Sequence, residues 1–186
     1  MNIGFAMCGS FCTFAQVFPV MEALASIHNV TPIFSNASQT TNSRFGEARE
    51  HIQTATRICG RDPLFTLEQV EPIGPKKLLD ALVIAPCTGN TLAKLAHSIA
   101  DSPVTMAAKS HLRNGRPILI AISTNDALAG AAENIGKLLA RKHYYFVPFG
   151  QDDPEKKPNS MIADFSRIPH ALDAALEGRQ LQPLLL

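Results

Sequence analysis

The sequence predicts a three-layer, doubly wound α/β fold around a parallel sheet, with residues 1–186 forming a single domain. Three observations lead to this prediction. Short apolar runs alternate with segments of helical periodicity along most of the chain. Two of the runs, Ala81 to Ala85 and Ile118 to Ile122, are apolar at every position, as strands covered on both faces are. Small polar residues follow the runs, where the loops at the carboxyl ends of parallel strands would lie.

Five apolar runs are predicted strands because each is short and is bounded by turn-forming residues. They are Ile3 to Met7, Val30 to Phe34, Ala81 to Ala85, Ile118 to Ile122 and Tyr144 to Val147. After the first run, an apolar stripe predicts a helix from about Thr13, which Pro19 should either kink or deprive of a backbone hydrogen bond. After the second run, a helix is predicted from about Arg44 to Cys59, with Gly60 as its stop.

Residues 60–80 contain three prolines and predict no regular element. After the third run, the spacing of Leu92, Leu95 and Ile99 predicts a helix with one apolar face. A further helix is predicted near Asn134 to Arg141, before the fifth run.

The last forty residues are predicted to be less regular. Polar, turn-rich residues from Phe149 to Ser160 predict a loop of about a dozen residues, a length that is often associated with function. Helical spacing from Met161 to Ile168 predicts a helix, and Pro169 begins a second one that ends before Gly178. The apolar tail from Gln180 is expected either to fray or to dock on a neighbouring element.

Composition argues against several classes of protein. Lys and Arg total 17 against 16 Asp and Glu, so the net charge of +1 does not favour binding to nucleic acid or to an anionic membrane. No apolar run reaches the roughly 18 residues of a membrane span. The four cysteines form no CxxC pair, so no metal site is predicted. No apolar signal segment is visible, and a reduced, cytoplasmic protein is expected.

Four predicted strands are followed by small polar residues, and these clusters are the candidate site. They are Gly9 and Ser10, then Ser35 and Asn36, then residues 88–91, then residues 123–126. Each cluster by itself can be explained as a helix cap. All four together are explained by one phosphate-bearing ligand, held at the carboxyl edge of the sheet by helix-start amides and hydroxyls. GxGxxG is absent and no Lys follows Gly9, so a mononucleotide such as FMN fits better than a dinucleotide or a nucleoside triphosphate.

The segment IAPCTGNTLAK from Ile84, with the glycine-serine turn after the first strand, resembles the family of flavin-containing cysteine decarboxylases. That resemblance implies FMN bound at subunit contacts of a homo-oligomer. It implies FMN phosphate contacts from Gly9, Ser10 and Ser35, further FMN contacts from Pro86, Thr88, Asn90 and Thr91, and a catalytic role for Asn125. Ser123 and Thr124, in the cluster after the fourth run, are also candidate cofactor-binding residues. In those decarboxylases a catalytic His precedes the isoleucine-alanine-proline segment by twelve residues. Pro72 occupies that position here and carries no transferable proton, so decarboxylation is not expected.

Four further segments resemble the family of dipicolinate synthase B subunits. They are QTTNSRFGEA from Gln39, DSPVTMAAKSHLRNG from Asp101, ISTNDAL from Ile122 and YFVPFGQDDPEKKPNSM from Tyr145. The resemblance implies a Rossmann-like fold and a role in sporulation, in oxidising a dihydrodipicolinate-type intermediate of lysine synthesis to dipicolinate. It also implies a partner A subunit, through which NADP would act as the electron acceptor.

A substrate with two carboxylates should meet cations in the crevice. Arg44 is the candidate catalytic cation, and Lys156 and Lys157 are candidate substrate-binding residues. In the alternative interpretation Arg44 only begins a helix and the two lysines are solvated.

Three functional hypotheses therefore remain open. The chain is an oxidoreductase subunit that uses FMN or reuses its pocket, a flavin decarboxylase, or a non-catalytic partner of the A subunit. The first and third keep the same pocket residues, so the sequence does not separate them.

Overall fold

The computed structural model describes residues 1–186 and is built on a seven-stranded sheet. The strands are β1 (Asn2–Met7), β2 (Asn29–Phe34), β3 (Ala81–Cys87), β4 (Ile118–Thr124), β5 (Tyr144–Phe146), β6 (Phe149–Asp153) and β7 (Lys157–Ala163). The first five are parallel, in the order β2-β1-β3-β4-β5. The predicted doubly wound α/β fold is confirmed. In this strand order the winding reverses between β1 and β3, which is where such sheets form a crevice.

Helices cover both faces of the sheet. They are α1 (Phe14–Ala25), α2 (Asn36–Thr40), α3 (Ala48–Cys59), α4 (Leu67–Val70), α5 (Gly89–Ala96), α6 (Pro103–Leu112), α7 (Ala132–Leu139) and α8 (Ile168–Leu176). Short 3-10 turns precede α1 and α8 and follow α4. Every residue of β3 is buried, because this central strand is covered on both faces. No helix in the structure combines the length and the apolar character needed to span a membrane.

One helix prediction needs correction. α3 begins at Ala48 and not at Arg44, because Glu47 and Glu50 form a capping box there and Asn42 Oδ1 accepts the Ala48 amide at 3.0 Å. Residues 43–46 form a turn instead, which closes at Gly46 with φ of 127°. α1 runs from Phe14 to Ala25 with Pro19 inside it, and its buried apolar residues lie on both sides of the proline.

The predicted loop from Phe149 to Ser160 is wrong, and so is the predicted helix from Met161. These residues form the antiparallel hairpin of β6 and β7. β7 pairs with β4 through Ser123 and Thr124, beyond the three residues of β4 that pair with β5. The hairpin therefore extends the sheet at the carboxyl ends of the strands, on one side of the crevice.

Two other segments are also more ordered than predicted. Residues 60–80 contain α4 and the 3-10 turn Glu71–Ile73. The C-terminal tail docks on its own chain, because the Phe149 amide donates to the Leu184 carbonyl at 3.0 Å and the Leu186 amide donates to the Phe149 carbonyl at 3.1 Å. The tail thus lies along the outside of the hairpin.

Candidate functional site

A cleft of about 850 Å³ lies at the carboxyl ends of the strands, between the ends of β1, β3 and β4. Its lining comes from five segments: residues 9–13 with Gln16, residues 43–45, residues 88–90, residues 123–126, and the hairpin residues Asp152, Lys157, Ser160, Met161 and Ile162. The cleft is thus built from loops that are distant in sequence but share one edge of the sheet.

The turn after β1 presents free hydrogen-bond donors to the cleft. The backbone amides of Gly9, Phe11 and Cys12 donate no hydrogen bond within the chain. Glycine is favoured at position 9 because a Cβ there would lie 3.2 Å from the Ala37 Cβ, in α2. Free amides at the start of a helix are a favourable site for an anion, worth about 0.3–1 kcal/mol at the surface.

A hydroxyl pair joins the ends of two strands that are not neighbours in the sheet. Ser10 Oγ lies 2.6 Å from Ser123 Oγ, so the turn after β1 contacts the end of β4 across the end of β3. Since β3 lies between these strands, the contact spans the floor of the cleft. Ser10 thereby helps to set the position of the β1 turn against β4.

The start of α5 shows that capping and cleft lining are compatible. Thr88 Oγ1 accepts the Thr91 amide at 3.3 Å, which makes Thr88 the N-cap of α5. The Thr91 hydroxyl turns inward and donates to Cys8 Sγ at 3.3 Å. Asn90 is exposed in the cleft, and its side-chain amide has no hydrogen bond within the chain. Asn90 is therefore free to contact a ligand.

A carboxylate already lies against the start of α5. Asp126 accepts the Thr124 hydroxyl, and a Cβ on Gly89 would lie 2.7 Å from both Asp126 Oδ1 and Thr124 Oγ1. The positive end of the helix dipole favours this placement. A second anion on the α5 amides would be repelled by Asp126, so the favourable place for a phosphate is the β1 turn.

The charged groups of the cleft are two cations and two carboxylates. Lys157 Nζ lies 2.7 Å from Asp152 Oδ2, and this hydrogen bond raises the pKa of Lys157. Arg44 is carried by the turn at residues 43–46, with its guanidinium 4.8 Å from the centroid of the Phe45 ring. Arg44 is in no ion pair, so it is the cleft cation that is available to an incoming carboxylate.

Nine of the predicted site residues line the cleft and four do not. The lining residues are Gly9, Ser10, Arg44, Thr88, Asn90, Ser123, Thr124, Asn125 and Lys157. The others are Ser35, Pro86, Thr91 and Lys156. Their contacts explain their positions.

Ser35 is nearly buried and caps α2 through the Ser38 amide. Pro86 is buried in β3, and the Thr91 hydroxyl points to Cys8. Lys156 lies at the hairpin turn, where its amide donates to Asp153 Oδ1 at 3.1 Å. The ligand contacts of all thirteen residues stay predictions.

Several residues that line the cleft were not among the site residues predicted from the sequence. Cys12 is an exposed free thiol in the cleft, and Phe11, Phe45 and Met161 provide apolar walls. Asp152 was missed because the hairpin was missed. The signal for it was Asp153 followed by Pro154, a pair that favours the first two positions of a type I turn between strands.

Comparisons with known proteins place this geometry in context. The family model described as Flavoprotein matches residues 1–164. The B subunit of dipicolinate synthase of Bacillus subtilis (strain 168) is 45% identical over 186 residues, which are 100% of this chain and 93% of that protein. The crystal structure of the dipicolinate synthase B subunit from Bacillus halodurans C is 46% identical with a TM-score of 0.91, covering 100% of this chain and 95% of that one.

A more distant solved structure shares the fold alone. It is the FMN-dependent cysteine decarboxylase SpaF, which is 24% identical with a TM-score of 0.69 and is aligned over 94% of this chain and 97% of its own.

Proposed function

This chain belongs to the Flavoprotein family and to its group of dipicolinate synthase B subunits. From this premise, we propose that it acts as the B subunit of a dipicolinate synthase. Together with an A subunit it takes part in the NADP-dependent oxidation of a dihydrodipicolinate-type intermediate to dipicolinate. The observation that carries the proposal is the 45% identity to the Bacillus subtilis protein along the entire chain. The cleft supplies the chemical groups that such a reaction requires.

FMN fits the side of the cleft formed by the β1 turn. The free amides of Gly9, Phe11 and Cys12 would hold its phosphate, and the apolar side chains of Phe45 and Met161 would face the ring. When bound, FMN supplies a reversible acceptor of two electrons. The absence of any acidic residue in the β1 turn favours a phosphate there.

The substrate carboxylates are proposed to meet Arg44 and Lys157. Arg44 has no carboxylate partner, and its guanidinium binds a carboxylate through two parallel hydrogen bonds. Lys157 would exchange its bond to Asp152 for the second carboxylate. Asn125, whose side-chain amide has no hydrogen bond within the chain, is placed to orient the ring between them.

Oxidation of the dihydropyridine ring removes a hydride and a proton. NADP, which we assign to the A subunit, would be the final acceptor of the hydride, and the proton would need a base. Asp126 is the carboxylate of the cleft that is not paired with a cation, so we propose that it takes the proton at Oδ2 while Oδ1 keeps the Thr124 hydroxyl.

Decarboxylation is less well supported. Pro72 lies in the 3-10 turn Glu71–Ile73, outside the cleft lining, so the position of the decarboxylase histidine offers no acid or base to the site. The second candidate function is that of a non-catalytic partner of the A subunit. In that case Asp126 and Arg44 would only bind the substrate.

The test combines the purified chain with its A subunit and measures dipicolinate and NADPH. We expect little product from the A subunit alone and full turnover with both subunits. Undiminished activity of the A subunit alone would refute the proposal.

Variants then separate catalysis from binding. We expect Arg44→Ala to raise KM about tenfold or more, whereas Arg49→Ala, an exposed arginine of α3 outside the cleft, should leave it unchanged. Asp126→Asn should lower kcat by a factor of about 100 or more. An unchanged kcat in Asp126→Asn would identify the non-catalytic partner.

Flavin binding is tested separately by reconstitution. Protein incubated with FMN and desalted should retain flavin absorbance, and Asn90→Asp should lose it, because the new negative charge in the cleft lining would repel the FMN phosphate. Retention of flavin by the variant, or a chain that never takes up FMN, would contradict the flavin part of the proposal.

A further inference from the structure

A second cavity, of about 320 Å³, lies at the opposite end of α5 from the cleft. It is enclosed by the C-terminal end of α5, one face of α6 and the start of β5, with Leu95, Ile99 and Leu112 as its apolar walls. α5 has eight residues, so its two ends are about 12 Å apart. The cavity is therefore separate from the cleft and shares only this helix with it.

Two unpaired cations stand one helical turn apart at the mouth of this cavity. Lys109 lies on α6 and Arg113 is the C-cap of the same helix, in helical conformation. Both are exposed, and neither makes a hydrogen bond or an ion pair in the chain. α6 carries no acidic residue, and no acidic residue lines the cavity. Like charges at this spacing repel each other, and an anion bound between them would relieve the repulsion.

The inner end of the cavity holds a third cation and an unpartnered hydroxyl. Arg141 donates to the Leu95 carbonyl at 3.0 Å and to the Ala96 carbonyl at 2.6 Å, which holds its guanidinium at the end of α5. Tyr144 is 8% exposed and lines the cavity, yet its hydroxyl makes no hydrogen bond within the chain. This hydroxyl is not enclosed by protein atoms, so it is free to donate to a ligand in the cavity.

We propose that this cavity is a second binding site, specific for a small ring dicarboxylate. Its volume, at the lower end of the range for ligand sites, admits a single ring between the apolar walls. Side chains at i and i+4 have Cβ atoms about 5–6 Å apart, which suits two carboxylates on alternate carbons of a six-membered ring. Lys109 and Arg113 bind the carboxylates, and the Tyr144 hydroxyl donates to the one that reaches inward.

The test uses isothermal titration calorimetry with isophthalate, a benzene ring with two such carboxylates. All proteins carry Arg44→Ala and Lys157→Ala, which remove the cations of the cleft, so the remaining binding reports the second cavity. In this background we compare Lys109→Ala/Arg113→Ala with Arg49→Ala/Lys76→Ala. Both pairs remove two exposed positive charges, and only the first pair lines the cavity.

We expect the background protein to bind isophthalate, the first pair to weaken binding at least tenfold, and the control pair to change it less than twofold. Tyr144→Phe should weaken it severalfold, and resorcinol, an uncharged ring of the same size, should not bind. Absence of binding in the background protein, or equal binding by the two pairs, would overturn the proposal. The measurement uses this chain without the A subunit, so its outcome is independent of dipicolinate synthesis.

Discussion

His111 should make the protein sensitive to mild acid. Its side chain, on α6, is fully buried. Nε2 donates to the Pro117 carbonyl at 3.1 Å, since a carbonyl only accepts, whereas Nδ1 has no partner. Protonation would place a proton and a charge on Nδ1 where no acceptor exists. Burial therefore lowers the pKa of His111 from 6.5 to about 4, with the Pro117 hydrogen bond opposing it and Arg116 adding to it.

The sign and size of the effect follow from this pKa. The unfolded chain takes up the proton near pH 6.5 and the folded chain only near pH 4, so below pH 6.5 the unfolded state binds more protons. The contribution of His111 to the free energy of unfolding is therefore lost as the pH falls from about 6.5 to about 4. Below that range His111 causes no further loss. One pH unit corresponds to about 1.4 kcal/mol, so the loss reaches about 3 kcal/mol at the acid end.

The assay is denaturant unfolding of the wild type and of His111→Gln at about pH 7 and about pH 4.5. The glutamine side chain can keep a donor for the Pro117 carbonyl and does not titrate, while all other groups titrate in both proteins. We expect the wild type to lose about 2.5 kcal/mol more than the variant on acidification. An equal loss in the two proteins would refute the reasoning.

Three further predictions concern a glycine in a crowded backbone position, the N-cap of α5 and an exposed cysteine thiol. Gly74→Ala should destabilise the protein by about 1–3 kcal/mol, because its Cβ would lie 2.5 Å from the Ser110 carbonyl oxygen, whereas Gly136→Ala, with nothing within 4 Å inside α7, should stabilise it by up to about 1 kcal/mol. Equal melting temperatures would contradict this pair. Thr88→Ala should cost about 1 kcal/mol in denaturant unfolding through loss of the α5 cap, and Thr88→Ser should restore it. A maleimide should label Cys12 first, since the other cysteines are buried or half-buried, and bound FMN should slow the labelling; mass spectrometry would show either outcome.

The site was predictable to the extent that strand ends determine it. Ser10 and Ser123 follow recognisable strands, and parallel strands bring their carboxyl ends to one edge. The inward orientation of the Ser35 and Thr91 side chains was not predictable. Ser35 uses its hydroxyl to cap α2, and the Thr91 hydroxyl donates to the buried Cys8. Arg44 lines the cleft on a turn and does not begin a helix, since the capping box at Glu47 sets where α3 begins.

By itself the sequence determined the α/β class, the central strands and the edge at which the polar residues gather, because these follow from local periodicity and from the geometry of parallel strands. Only the tertiary structure decided that the polar segment after Phe149 is a hairpin, that Lys157 is held by Asp152, and that a cationic cavity lies behind α5. The physical reason is that β7 gains its stability from pairing with β4, more than thirty residues earlier in the chain. Contacts between residues so far apart leave no periodic trace in either segment.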